Sequence, residues 1–82
     1  MNYRFTPRAL KQFHKLPAAA QNELLQKIHY FLTADKPLNF AEPIVGEKHT
    51  HRFRVRDYRI IFTPGENSIV ITKVGHRRDI YR

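Results

Sequence analysis

Tyr3 and Phe5 alternate with polar neighbours at the start of the chain, a period of two that predicts a short strand. Thr6 followed by Pro7 reads as an N-cap with proline in the first helical position. Ala9, Leu10, Phe13 and Leu16 then recur at helical spacing and predict a helix over 7–16. Pro17 resets the chain. A second helix follows, from Pro17 to Thr33, with Leu24, Leu25, Ile28, Phe31 and Leu32 on one face. Residues 34–48 hold two prolines and a glycine and no steady period, so they predict an extended loop anchored by Leu38, Phe40 and Ile44. Three strands come next, over 50–55, 58–63 and 68–74, with turns at Arg56-Asp57 and Pro64–Asn67. The order is an N-terminal strand, a two-helix hairpin and an antiparallel three-stranded meander. It predicts a single α+β domain over 1–82, its helices packed on one face of a mostly antiparallel sheet.

The meander's first hairpin carries the most information. A two-residue loop at Arg56-Asp57 pairs Val55 with Tyr58, Arg54 with Arg59, Phe53 with Ile60 and Arg52 with Ile61. Side chains alternate faces along a strand, so Phe53, Val55, Tyr58, Ile60 and Phe62 turn to the helices. Arg52, Arg54, Arg59 and Ile61 fall on the open face. Like charges directly opposite each other are unfavourable, by ~0.2–1 kcal/mol. The Arg54–Arg59 pair therefore suggests an anion that normally sits between them. The third strand, with Ile69–Ile71 consecutive, should lie inside the sheet. Pairing through Pro64–Asn67 would put Thr72 beside Arg59, and the tail after Gly75 could close over the arginine face.

Charge sharpens this picture. The net charge of +8 is uneven: residues 1–47 carry six Lys/Arg against four acids, and residues 48–82 carry nine against three. Seven of the nine arginines stand at or after Arg52. A bias toward arginine suits planar, bidentate recognition of an anion, with phosphate the leading candidate. The absence of cysteine excludes disulfides and thiolate metal sites and suits a reducing cytoplasm, the expected location. No apolar run approaches a membrane span, and no signal-peptide pattern opens the chain. The histidines lack metal-ligand spacing, so no metal or other cofactor is expected. His49 and His51 share the parity of Phe53 and turn to the helix side, while His14 and His29 sit on helix surfaces.

The segments "TPRALKQFHKLP", "VRDYRIIF" and "VITKVGHRRDIYR", in that order, resemble the RelE/ParE superfamily of small toxins from bacterial and archaeal toxin–antitoxin modules, and within it the RelE-like branch. The resemblance covers essentially the whole chain. It implies an endoribonuclease that cuts mRNA in the ribosomal decoding site. The RelE-like pattern places the catalytic set at Arg54, Arg59, Arg77 and Tyr81. Phosphate contacts are expected from Arg52, Arg56, Lys48, His76, Arg78 and Arg82. The implied partners are a cognate antitoxin, mRNA and the ribosome with its 16S rRNA, and no membrane. The ParE branch shares the fold but inhibits DNA gyrase without catalysis, which is the alternative expectation.

The chemistry expected of that set is metal-free transesterification, in which the 2′-OH attacks its neighbouring phosphate. Arginine cannot act as a base at ordinary pH, so Arg54, Arg59 and Arg77 would stabilise charge on the phosphoryl oxygens. Tyr81 would accept the 2′-OH proton, its phenolate favoured by the cations around it. The residue that protonates the leaving 5′-oxygen is not specified by the sequence.

Overall fold

A computed structural model describes residues 1–80. Strand β1 (Asn2–Phe5) leads into α1 (Pro7–His14) and α2 (Ala18–Leu32). A short 3-10 turn (Pro37–Phe40) then delivers β2 (Ala41–Pro43). The meander is β3 (His51–Val55), β4 (Tyr58–Pro64) and β5 (Ser68–His76), followed by the single-turn helix α3 (Arg77–Ile80). The five strands form one sheet in the order β1-β5-β4-β3-β2. β1 runs parallel to β5, and the other pairings are antiparallel.

The local chemistry explains most element ends. Thr6 Oγ1 accepts a hydrogen bond from the Ala9 N–H at 3.1 Å, with Pro7 at the first helical position. α1 ends two residues earlier than its apolar spacing predicts. The residue before a proline is pushed out of the helical region, and Pro17 does this to Leu16. Pro17 then caps α2, whose buried residues Leu24, Ile28, Phe31 and Leu32 match the predicted face. Those residues, with Ala9 and Phe13 of α1, cover Phe53, Ile60, Phe62, Ile69 and Ile71 of the sheet. Phe31, Phe53 and Phe62 pack in sequence, with centroids 4.6 and 4.4 Å apart. Each fully buried side chain of this size contributes about 1.5–3 kcal/mol.

Two parts of the sheet depart from expectation. Residues 41–43, expected to be loop, form the edge strand β2 on β3, pairing Glu42 with Arg52. Three residues are too few to show a period, and Pro43 reads as loop because proline tolerates only strand edges. The second departure is the register of β5. β4 extends to Pro64, which pairs with Ile69, and the hairpin is closed by the Gly65 N–H to the Ser68 carbonyl at 2.7 Å. A bulge then interrupts the ladder between Ile61 and Phe62. Gly75, not Thr72, therefore lies beside Arg59, and Thr72 sits at the bulge with its hydroxyl 3.4 Å from the Ile61 carbonyl. β5 also runs through Gly75 to His76, two residues beyond its predicted end. Its interior position, between β1 and β4, is as expected.

Candidate anion-binding face and adjoining cleft

The β3–β4 hairpin has the predicted register, including Arg54 opposite Arg59. Its two-residue loop places Arg56 at a φ of 55°. Helix α3 returns over the open face. The Arg77 N–H donates to the Asp57 carbonyl at 2.7 Å, and the Arg77 Nε lies 3.6 Å from Asp57 Oδ1. Ile80 is buried and stands where a Cβ on Gly75 would meet it at 3.8 Å. Ile61, on the same face, is buried too. Arg54, Arg59 and Arg77 thus gather at the turn end of the sheet.

Their side chains are already engaged. Arg54 Nε lies 2.6 Å from Glu42 Oε1, and Arg52 Nη2 lies 3.5 Å from Glu42 Oε2. Arg59 is only 9% exposed. Its Nη1 donates to the Arg56 and Tyr58 carbonyls at 2.8 and 2.9 Å, tying down the turn. The like-charge pair is therefore relieved from within the protein. Glu42 neutralises Arg54, and Arg59 folds back onto backbone oxygens. Arg54 still has 56% of its side chain exposed and Arg77 59%, so both can exchange a carboxylate for another anion.

The remaining expected contacts divide. Arg52 stands beside Arg54 on the Glu42 carboxylate. Arg56 reaches the other way, its Nε 3.2 Å from Glu23 of α2, toward the helical layer. Lys48 lies in the loop before β3, at the far end of that strand from the turn, and does not join the arginines. His76 pairs with Tyr58 across the ladder, their rings 5.7 Å apart, and its Nδ1 accepts the Arg78 N–H. His51 packs against Phe62, in keeping with its predicted parity. Tyr81 and Arg82, the expected base and the terminal cation, lie outside the described residues.

His76 and Arg78 border a second feature that sequence reasoning missed. β1 covers only the first half of β5, from Ser68 to Ile71. Beyond it, the free edge of β5 faces α1 across a cleft of about 570 Å³. Gln12 Oε1 accepts the Val74 N–H at 2.9 Å and so closes part of that edge. Arg8, Lys15, Lys73 and Arg78 stand around the opening. The available signal was the spacing of Arg8, Gln12 and Lys15, at i, i+4 and i+7 on one helix face. Among the described residues, no group of three or more His, Asp or Glu side chains could hold a metal ion. None of the described helices is long and apolar enough to cross a membrane.

Comparison with known proteins gives this arrangement a context. A family model described as the ParE toxin of the type II toxin–antitoxin system parDE matches residues 3–81. Among solved structures, the toxin–antitoxin complex RelBE2 of Mycobacterium tuberculosis contains a chain similar to this one. It is 28% identical, with a TM-score of 0.82, covering 93% of this chain and 96% of that chain. The RelB–RelE antitoxin–toxin complex of Methanococcus jannaschii matches in fold at 22% identity and a TM-score of 0.75, covering 94% and 93%. The intact RelBE complex of E. coli does so at 20% identity and 0.75, covering 92% and 94%. No curated protein matches by sequence. With a match that runs almost end to end, and an α+β fold shared with solved RelE chains, this protein belongs to the ParE toxin family of type II toxin–antitoxin systems, within the RelE/ParE superfamily.

Proposed function

We propose that this toxin is a metal-independent endoribonuclease that cuts mRNA, with the ribosome presenting the message. The observation that carries this reading is the gathering of Arg54, Arg59 and Arg77 at one end of the open face, two of them substantially exposed. In the reaction the 2′-oxygen attacks the adjacent phosphorus and the P–O5′ bond breaks. A 2′,3′-cyclic phosphate and a 5′-hydroxyl result. Tyr81, as the phenolate, takes the 2′-OH proton, and a proton from water completes the 5′-hydroxyl as the P–O5′ bond breaks. Arg54 and Arg77 exchange Glu42 and Asp57 for the non-bridging oxygens, and Arg59 contributes positive charge from its buried position. Charge that develops only in the transition state is stabilised most, and each such interaction is worth about 10²–10³ in rate. Ribosome binding, including 16S rRNA, follows from the surplus of cations. A cognate antitoxin is the expected partner in the cell, since the similar solved toxins are held in complexes of that kind.

The test is primer extension on cellular transcripts after induction. Wild type should give discrete 5′ ends within coding sequence. Tyr81→Phe should lower cleavage by at least about 100-fold, and Arg54→Ala/Arg77→Ala by more than about 100-fold. Intact transcripts during wild-type growth arrest would sink the reading.

A second reading, inhibition of DNA gyrase by binding, draws on two observations. The matching family model is that of ParE, and Arg59 already donates to two carbonyls. Under that reading the purified chain blocks gyrase supercoiling, and Tyr81→Phe leaves growth arrest unchanged.

A further inference from the structure

Some of the described cations are held from within the protein and others are not. The meander arginines and Arg77 are each held by an acid or by backbone oxygens: Arg52 and Arg54 by Glu42, Arg56 by Glu23, Arg77 by Asp57, Arg59 by carbonyls. Arg8, Lys15, Lys73 and Arg78, like Arg4, Lys11, Lys27, Lys36 and Lys48, have no carboxylate partner among the described residues, but these four stand together around the cleft beside the free half of β5. They come from α1 and the residue that follows it, β5 and α3, which meet there. The acid in the lining is Asp79, so the opening keeps a strong positive excess. The walls are polar as well as charged. Gln12 spans the gap to Val74, which leaves its amide nitrogen for a ligand, and His76 has its Nδ1 occupied by the Arg78 N–H, which leaves Nε2.

We infer that this cleft is a nucleic-acid phosphate site, distinct from the Arg54–Arg59–Arg77 group at the turn end of the sheet, which holds the strand beside α1. Concentrated cations without internal partners raise the local potential, and a groove focuses it. The phosphates of a single strand, repeated along its length, match cations distributed on both walls of a cleft better than one compact anion would. With RNA as the strand, the inference rests on the nuclease reading above. The cleft would then anchor substrate without touching the scissile bond, and its removal would weaken binding while leaving bond breaking intact.

The test measures binding of the purified full-length chain to a fluorescent single-stranded RNA whose 2′-positions are deoxy or O-methylated. Such an RNA cannot be cleaved, so the result does not depend on catalysis. Arg8→Ala/Lys15→Ala is compared with Lys27→Ala/Lys36→Ala, which removes equal charge from α2 and the segment after it. Each cation withdrawn from a phosphate lowers the slope of log K against log salt by about 0.7 for a single strand. The cleft variant should lower it by about 1.4 and weaken binding at least tenfold at low salt, with the control close to wild type. Arg8→Lys/Lys15→Arg should restore binding, which separates charge from folding. Equal losses in both alanine variants would overturn the site, as would unchanged RNA binding in the cleft variant. If that variant bound RNA normally but failed to bind an acidic antitoxin segment, the cleft would be a protein-docking surface and the inference would fail. Retained non-cleavable binding with no cleavage of natural mRNA presented on ribosomes would sink the nuclease reading alone. A double-stranded DNA arm that bound tighter than RNA would move the site to the gyrase reading and overturn the RNA assignment.

Discussion

At the scale of single residues, Arg56 shows a turn position filled against backbone preference. Its φ of 55° is a left-handed value that glycine, asparagine and aspartate tolerate better than arginine. Hairpin geometry wins because the flanking pairs Val55–Tyr58 and Phe53–Ile60 bury apolar side chains, and Arg59 bonds the Arg56 carbonyl. Arg56→Gly should therefore stabilise the fold by about 0.5–1 kcal/mol, less a few tenths for the exposed Glu23 pair. A urea midpoint moved upward with an unchanged slope would show this, and a lowered midpoint would refute it. The register that places Arg54 against Arg59 was legible because two-fold alternation and a two-residue turn fix every pair at once. The relief of that repulsion was not legible. Glu42 belongs to a strand too short to announce itself, and Arg59's choice of carbonyl partners depends on a turn shape that only the folded chain defines.

Elements show the same division. The two helices were readable because apolar residues at helical spacing and two prolines fixed their faces and most of their ends. The bulge in β4–β5 was not, since the residues around it are all strand formers and nothing in their order marks the extra one. That bulge decides the geometry of the candidate site: it puts glycine next to Arg59 and lets α3 come down with Ile80 against the open face. The half of β5 that β1 leaves uncovered creates a further demand. Its Val74 N–H would be an orphan donor, and Gln12 meets it from α1, 62 residues away in sequence. Gln12→Ala should destabilise by about 1 kcal/mol, the lower end for an unsatisfied donor because the site is partly open to water. Gln12→Glu keeps the acceptor and should lose less. Amide exchange at Val74 should accelerate in the alanine variant ahead of its neighbours in β4, and uniform acceleration across the sheet would contradict the local assignment.

For the whole molecule, the core and the candidate site lie on opposite faces of one sheet. The helix face holds Phe53, Ile60, Phe62, Ile69 and Ile71, all fully buried, and a domain of 82 residues has little stability beyond that core. The open face holds Arg54, with Arg77 just beyond it on α3; both are exposed and engaged in ion pairs worth about 0–1 kcal/mol. Phe53→Ala removes the middle ring of the Phe31–Phe53–Phe62 stack and should cost about 3–5 kcal/mol, enough to leave much of the population unfolded at 37 °C. Arg54→Ala/Arg77→Ala should lower the thermal midpoint by no more than about 8 °C while transcript cleavage falls. The informative result is the pairing of the two measurements. If the arginine variant lost stability as steeply as Phe53→Ala, its missing cleavage would only report unfolding, and those arginines would be bracing the hairpin rather than meeting a phosphate.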